Sequence, residues 1–182
     1  MNLRLYHYRD NSVSAFNEAL KDYLESNGRR VPPCVLSNEP QELGRGEHGK
    51  PYFANPELKD VYFSRSDTNG YVVVCFSGSE IGVDCENTEA RPGMESRYAR
   101  IAARVFTDDE RSYLTEGESG AVERFFEIWT AKEAFMKYTG KGFSEGFNSF
   151  SVFRLSGVHI DTGRLDGAPH VIYSVCFRKG SF

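Results

Sequence analysis

Two carboxylates stand two residues apart in the segment IGVDCE, residues 81–86. Successive side chains of a strand alternate between its faces, so Asp84 and Glu86 point to one side while Val83 and Cys85 point to the other. Two carboxylates on one face repel each other unless a cation lies between them, and Mg²⁺ binds carboxylates together with water and substrate phosphate. The pattern is compatible with a magnesium site, but taken alone it favours a solvated strand edge with two acidic residues.

A second group of polar side chains lies in the segment WTAKEAFMK, residues 129–137. In a helix, Glu133 and Lys137 are one turn apart and share a face with Trp129. An ordinary ion pair that only stabilises the helix fits this spacing as well. Two features weaken that interpretation: the flanking run is strongly apolar, and the sequence GKG at 140–142 adds another cation.

A third candidate is Lys50, which stands between Gly49 and Pro51. A rigid turn that presents a lysine suits a phosphate group. A surface turn without any ligand fits these three residues equally well.

The elements that must position these side chains follow from hydrophobic periodicity and from turn residues. The predicted strands are Leu3–Tyr8, Val61–Ser64, Tyr71–Ser77, Ile81–Glu86, Phe147–Leu155 and Val171–Arg178. The predicted helices are Ser12–Ser26, Met94–Phe106, Asp108–Leu114 and Ala121–Tyr138. Thr107 and Glu110 form a capping box for the third helix, while Ser119 opens the fourth and Gly140 closes it.

The order strand, helix, loop and strands occurs twice along the chain. This repetition predicts an α+β fold of two similar lobes, residues 1–80 and 81–182, related by a weak internal repeat. Neither half buries much core alone, so we expect the lobes to pack closely. A cleft between them is the natural place for a ligand.

The composition is that of a folded domain, with 182 residues, 40% hydrophobic and 26% charged. A net charge of −4 argues against a nucleic-acid binder that relies on a general basic field. No stretch approaches the ~18 apolar residues of a membrane span, and the N-terminal segment does not read as a signal peptide. We therefore expect a cytoplasmic protein without a nucleic-acid or membrane partner, and two internal lobes make a monomer sufficient.

The cysteines form no CxxC pair and have no zinc-like spacing with the histidines. Three of the four lie in apolar, strand-like runs, which predicts buried, reduced thiols. The four are Cys34, Cys75, Cys85 and Cys176.

The order of the motifs resembles the 4′-phosphopantetheinyl transferase superfamily, in its two-lobed, surfactin-synthetase-activator type. The motifs are GKPY (49–52), FSRSDT (63–68), IGVDCE (81–86), FTDDE (106–110), and WTAKEAFMK (129–137) with GKG (140–142). The resemblance covers residues 47–153. Its paired signature, (I/V)G(V/I)DxE and then WxxKEAxxK, is highly specific, and here Glu133 follows Asp84 by 49 positions.

The resemblance implies that the chain transfers the 4′-phosphopantetheine arm of coenzyme A to a serine of an apo acyl or peptidyl carrier protein, releasing 3′,5′-ADP. By the same resemblance, Asp84, Glu86 and Glu133 hold Mg²⁺, and Glu133 also deprotonates the serine. Lys137 contacts the phosphates and stabilises the charge of the transition state. Lys50, Ser66 and Thr88 are the remaining coenzyme-binding positions.

The family pattern usually reads FNxSHS where this chain has FSRSDT, so Ser66 is retained but Ser64 replaces the asparagine and Asp67 replaces the histidine. That histidine normally helps bind the 3′-phosphate of the coenzyme. An aspartate repels a phosphate, so either Asp67 turns away or a nearby cation neutralises it. We expect Arg65, two residues away on the same strand face, or a loop arginine (Arg29, Arg30 or Arg45) to take over the phosphate.

Two other interpretations stay open at this point. The chain could be a catalytically impaired paralogue that binds a carrier protein or a nucleotide. It could also be an unrelated small α+β metal-binding enzyme such as a phosphohydrolase, but this leaves the WxxKEAxxK helix unexplained. For the transferase, we expect a carrier-binding surface near Ile101–Leu114, with Val105 and Phe106 as apolar contacts. Its basic residues are Arg97, Arg100, Arg104 and Arg111.

Overall fold

A computed structural model describes residues 3–9, 12–89, 94–116, 120–142 and 146–180. Within these ranges the strands are β1 (Arg4–Tyr8), β2 (Leu43–Arg45), β3 (Pro51–Phe53), β4 (Tyr62–Thr68), β5 (Tyr71–Ser77), β6 (Ile81–Asn87), β7 (Val158–Leu165) and β8 (Ala168–Arg178). The helices are α1 (Val13–Ser26), α2 (Pro33–Leu36), α3 (Glu95–Val105), α4 (Asp108–Leu114) and α5 (Ala121–Thr139).

The strands form two antiparallel sheets of three strands each, in the orders β1-β5-β4 and β6-β8-β7, and a separate hairpin of β2 and β3. In each three-stranded sheet, the strand that comes last along the chain lies in the middle. The α+β class predicted from the sequence is confirmed. The two-lobe internal repeat, with its boundary between residues 80 and 81, stays a prediction.

The strand β5 separates two apolar cores because its side chains alternate. Val74 and Phe76 pack against α1 on one face, whereas Val73 and Cys75 point to the second sheet. There they meet side chains of β6 and β8, such as Val83. A third core forms on the far face of the second sheet, where α3 and α5 pack.

The ends of the helices agree with their local sequence. Gly140 ends α5 with a positive φ of 68°, which a residue without a Cβ adopts at no steric cost. The capping box of α4 is present, because Thr107 N donates to Glu110 Oε2 at 2.8 Å. The predicted helix opener Ser119 lies outside the described residues, and α5 begins after Gly120.

The predicted strand Phe147–Leu155 is wrong. The segment starts with a short 3₁₀ turn, Phe147–Ser149, and continues irregularly. Its backbone groups bond to side chains instead of to a strand: Phe150 O accepts from Lys132 Nζ, and Val152 N donates to Glu110 Oε1. The sheet β6-β8-β7 has β7 as one of its two edge strands, and the sequence analysis missed this strand.

The cysteine prediction is confirmed for Cys75, Cys85 and Cys176, which are buried, and all four thiols are free. Burial raises the pKa of Cys85 and Cys176 to about 12, so both remain protonated at neutral pH. In the part of the chain that the structure describes, no helix is long and apolar enough to cross a membrane.

Candidate active site

The carboxylates of β6 share one face of the strand, as the alternation predicts. Val83 and Cys85 belong to the core between the sheets, while Asp84 and Glu86 lie on the side that contacts α5. Asp84 is only 6% exposed, and Glu86 is half-buried. A buried aspartate requires partners that offset the loss of hydration.

Gly82 allows α5 to lie directly on β6. A Cβ at this position would stand 2.0 Å from Ala134 O and 2.3 Å from Tyr138 N. These distances are too short for any residue with a side chain. The close approach brings Glu133 and Lys137, which directly precede Ala134 and Tyr138 on α5, against the carboxylates of β6. The glycine of the IGVDCE motif is therefore required for the geometry of the site.

Asp84 uses only one of its two oxygens within the structure. Lys137 Nζ donates to Asp84 Oδ1 at 2.8 Å, and Ser66 Oγ donates to the same oxygen at 2.7 Å. Asp84 Oδ2 is buried and has no hydrogen-bond partner among the residues that the structure describes. A buried carboxylate oxygen without a partner is unfavourable, and it marks a position suited to an additional cation or donor.

Glu133 completes a cluster of three acidic groups. Burial, followed by the negative charges of Asp84 and Glu86, raises the pKa of Glu133 from 4.5 to about 7, against an opposing effect of Lys137. Burial also raises the pKa of Asp84, opposed by Lys137 and by its hydrogen bond from Ser66. For Glu86, burial and the charge of Asp84 raise the pKa, opposed by bonds from Thr68 and Trp129.

This donor set fits Mg²⁺ chemically, because it offers carboxylate oxygens that repel one another without a cation. Among the described residues, however, no three potential ligands already surround a common point at metal-binding distance. The ammonium group of Lys137 forms an ion pair with Asp84. The residues that would hold the ion are the three predicted ones, and the unpaired Asp84 Oδ2 is the oxygen with no competing bond.

A cavity of about 290 Å³ adjoins Glu133 and Lys137. One side is formed by α5 and the chain just after it, and the other side by the loop before β3 and by β4. Its further lining residues are His48, Gly49, Lys50, Pro51, Phe63, Ser64, Arg65, Met136, Gly140 and Gly142. Both halves of the chain therefore contribute to the wall of this cavity.

Lys50 lines the cavity, but its ammonium group is already engaged. Nζ forms an ion pair with Glu80 and donates to Ile81 O and to Tyr138 O, each at 3.0 Å. Tyr138 O belongs to the last turn of α5, whose carbonyls have no partner within the helix. Lys50 thus fastens the end of α5 to the start of β6, and its predicted contact with a phosphate stays a prediction.

The other predicted coenzyme-binding positions also have partners within the chain. Thr88 donates from both its backbone N and its Oγ1 to His170 O, at 2.7 and 3.0 Å. Ser66 donates to Asp84 rather than pointing into open space. The pair proposed from the sequence is present, since Arg65 lies 4.0 Å from Asp67.

Sequence reasoning missed the buried ion pair of Lys132 and Glu110. Both side chains are 0% exposed, and Lys132 Nζ donates to Glu110 Oε1 at 2.7 Å and to Phe150 O at 2.5 Å. The pair ties α4 and the segment after Phe147 to the back of α5. The sequence did contain one signal for this ion pair, the lysine of the WxxKEA signature. Because Lys132 and Glu133 are adjacent in a helix, their side chains project from different faces of α5.

The aromatic residue of the same signature is held by stacking. The Trp129 ring lies 5.1 Å from the Phe147 ring and 5.9 Å from the Phe125 ring, nearly parallel to both. It also lowers the pKa of Glu86, against the burial that raises it. Trp129 therefore links the acidic strand to the aromatic core behind α5.

Only some of the arginines predicted to form a basic surface near α3 are exposed to solvent. Arg97, Arg100 and Arg104 are exposed, whereas Arg111 donates to Phe106 O and pairs with Asp108. Phe106 is 1% exposed, so its expected place on that surface is wrong. An apolar groove of about 280 Å³, with Tyr98, Ala102 and Phe125 among its lining residues, runs between α3, α4 and α5.

Comparison with known proteins places this site in context. A family model described as the 4′-phosphopantetheinyl transferase superfamily matches residues 80–176. A 4′-phosphopantetheinyl transferase of Bacillus subtilis is 35% identical over 177 residues, covering 97% of this chain and 71% of the relative. A second one from Bacillus subtilis is 30% identical over 165 residues, 90% of this chain and 68% of the relative.

A third relative, a putative 4′-phosphopantetheinyl transferase of Synechocystis, is 37% identical over 114 residues, 60% of this chain. The chain spans between 44% and 71% of the length of these three relatives. The matched family region includes β6, α5 and every acidic residue of the site.

Proposed function

The chain belongs to the 4′-phosphopantetheinyl transferase superfamily, and we propose that it transfers the 4′-phosphopantetheine arm of coenzyme A to a carrier-protein serine. The observation that carries this proposal is the cluster of Asp84, Glu86, Glu133 and Lys137 beside a cavity. Three acidic groups and one cation at a cavity wall suit the handling of a diphosphate together with a metal ion.

Asp84, Glu86 and Glu133 would hold Mg²⁺, which when bound neutralises negative charge on the diphosphate. The support is chemical: the charge of Asp84 raises the pKa of both Glu86 and Glu133, and Asp84 Oδ2 is buried without a partner among the described residues. Ser66 and Lys137 hold the other oxygen of Asp84. The orientation of this carboxylate is therefore set before any ligand arrives.

In the reaction, the serine oxygen forms a bond to the phosphorus next to the pantetheine. The bond from that phosphorus to the bridging oxygen breaks, and 3′,5′-ADP leaves with this oxygen. Glu133 takes the serine proton, because its half-buried carboxylate lies at the cavity wall beside Lys137. Lys137 balances the negative charge that spreads over the phosphate oxygens.

We propose the cavity beside Glu133 as the place where part of coenzyme A binds. Lys137 and Arg65 contribute cationic side chains to its wall, and Phe63 and Met136 contribute apolar surface. Of the other candidate coenzyme-binding positions, Lys50 lines this cavity, whereas Ser66 and Thr88 are not among its lining residues.

The carrier protein would dock beside α3, whose exposed arginines attract an acidic partner and increase the rate of encounter. The proposal includes two similar lobes, residues 1–80 and 81–182, supported by the common strand order of the two sheets. It also includes a monomer that acts in the cytoplasm, which suits the free thiols.

One incubation tests the function. The chain is mixed with apo carrier protein, coenzyme A and Mg²⁺, and the carrier is weighed by intact mass spectrometry. A gain of one phosphopantetheine supports the transferase, whereas carrier or nucleotide binding without any gain supports the impaired paralogue.

The variant Asp84→Ala tests the assignment of the metal site. It should abolish transfer while the protein still folds, because it removes a ligand and also relieves carboxylate repulsion. Unchanged transfer rates in this variant at low Mg²⁺ would refute the assignment.

A further inference from the structure

Three hydroxyl side chains hold β4 against β6. Ser64, Ser66 and Thr68 alternate along β4 and so lie on one face of it, and all three are at most 9% exposed. The two strands belong to different sheets, and their hydrogen bonds run through these hydroxyls.

The three hydroxyls have different partners. Ser64 Oγ accepts from the backbone N of Val83 at 3.0 Å. Ser66 Oγ donates to the carboxylate of Asp84 at 2.7 Å, and Thr68 Oγ1 donates to the carboxylate of Glu86 in a longer contact of 3.4 Å. One hydroxyl thus hydrogen-bonds to the backbone of β6, and the other two hydrogen-bond to the carboxylates of Asp84 and Glu86.

We propose that Ser66 and Thr68 are positioning residues that orient the Asp84 and Glu86 carboxylates for a divalent cation. The inference rests on the proposed function, since it assigns these hydroxyls to the metal site of that reaction. Carboxylates that bind metals are commonly held by such outer hydrogen bonds, and the loss of one weakens metal binding.

For Ser66, the distribution of bonds over the two oxygens carries the argument. Ser66 and Lys137 both donate to Asp84 Oδ1, so this oxygen faces two donors, while Oδ2 has none. Rotation of the Asp84 carboxylate would break both hydrogen bonds, and water could not replace them because this carboxylate is buried. The unpaired oxygen is therefore fixed as the one that faces a cation.

For Thr68, a second bond fixes the direction of the hydroxyl. Asn87 N donates to Thr68 Oγ1 at 3.1 Å, which occupies a lone pair of the oxygen. The single proton of the hydroxyl is then left for Glu86. Its longer distance predicts a smaller effect than that of Ser66.

This assignment differs from the role that the family resemblance implies for Ser66, a contact with the coenzyme. A hydroxyl has one proton, so Ser66 cannot donate to Asp84 and to a phosphate at the same time. A positioning role changes the affinity for the cation, whereas a coenzyme contact changes the KM for coenzyme A. The two roles therefore predict different measurements.

The experiment measures Mn²⁺ binding to the full chain by electron paramagnetic resonance in the presence of 3′,5′-ADP, without turnover. Ser66→Ala should bind Mn²⁺ about 10–100-fold more weakly than the wild type. Thr68→Val should show a smaller loss, and Ser66→Thr, which keeps a hydroxyl, should recover most of the affinity.

Ser77→Ala is the matched control, because it removes a fully buried hydroxyl of the neighbouring strand β5, which accepts from Ser79 N and is not bonded to the carboxylates of the site. It should lower the midpoint of thermal unfolding but leave Mn²⁺ affinity at the wild-type value. The KM for coenzyme A is measured for Ser66→Ala in the transfer assay at saturating Mg²⁺, and it should stay close to that of the wild type.

Wild-type Mn²⁺ affinity in both Ser66→Ala and Thr68→Val would overturn the positioning role, and so would a raised KM for coenzyme A with unchanged Mn²⁺ affinity. In both cases the proposed transferase remains intact. If the wild type itself binds no Mn²⁺, the metal site of the proposed function fails together with the inference.

Discussion

Replacing Glu133 with glutamine should stabilise the metal-free protein at pH 8, although it removes a group that the proposed reaction needs. The folded protein holds a proton on Glu133 up to a pKa of about 7, compared with 4.5 for an ordinary glutamate. The folded state thus binds more protons than the unfolded state between these values, and the free energy of unfolding falls as the pH rises through this interval. Glutamine carries no charge at any pH, so the variant does not lose this free energy of unfolding as the pH rises.

The shift sets an upper limit on the effect. At about 1.4 kcal/mol per pKa unit, the rise from 4.5 to about 7 amounts to about 3 kcal/mol. Glu133 is only half-buried, and solvent screening reduces this figure to roughly 1–2 kcal/mol. The difference between variant and wild type should vanish below pH 4.5, where the carboxyl is protonated in both states.

Urea unfolding of both proteins at pH 4 and pH 8, with a chelator present, measures this difference. Glu123→Gln, on an exposed glutamate in the first turn of the same helix, is the control and should change stability by less than about 0.5 kcal/mol. Added Mg²⁺ at pH 8 should then stabilise the wild type more than Glu133→Gln. A Glu133→Gln protein that is less stable than the wild type at pH 8 without metal would refute the reasoning, since Glu133 would then gain more from Lys137 than it loses to Asp84 and Glu86.

Three further predictions test separate parts of the protein. Lys137→Ala should lower kcat on the order of 10²–10³-fold in steady-state assays and change the KM for coenzyme A much less; a change in KM alone would show equal binding of ground and transition states. Lys132→Met should lower the free energy of unfolding in urea by about 3–5 kcal/mol, because it leaves the Glu110 carboxylate buried and unpaired. The double variant with Glu110→Leu should lose less than the sum of the single changes, and strict additivity would contradict the coupling. Asp67→His should leave the KM for coenzyme A unchanged or slightly lower while Arg65→Ala raises it, and unaltered KM values in both would rule out the phosphate role of Arg65.

Local patterns in the sequence were sufficient for the secondary structure around the site. Strand alternation placed Asp84 and Glu86 on one face, and the residue spacing of Glu133 and Lys137 placed both on one side of a helix. The capping box at Thr107 begins α4 and Gly140 ends α5, as predicted. Such features depend on neighbours within one or two turns, which is why the sequence alone determines them.

The segment from Phe147 to Leu155 shows where local patterns fail. Its alternating residues predicted a strand, but its backbone bonds go to Lys132 and Glu110, which lie 18 and 42 positions away from their partners. A buried lysine and a buried glutamate gain more from these backbone groups than the segment would gain from an isolated edge strand. No local signal reports such a preference.

The motifs by themselves determined the family, the α+β class and the identity of the acidic residues. Only the tertiary structure decided which atoms these residues offer. Ser66 and Lys137 reach the same oxygen of Asp84 from positions 18 and 53 residues away, and Lys50 reaches Tyr138 O from 88 residues away. Whether a lysine faces a cavity or a carbonyl, and whether a glutamate has a pKa near 4.5 or near 7, depends on burial and on charges that the fold brings together.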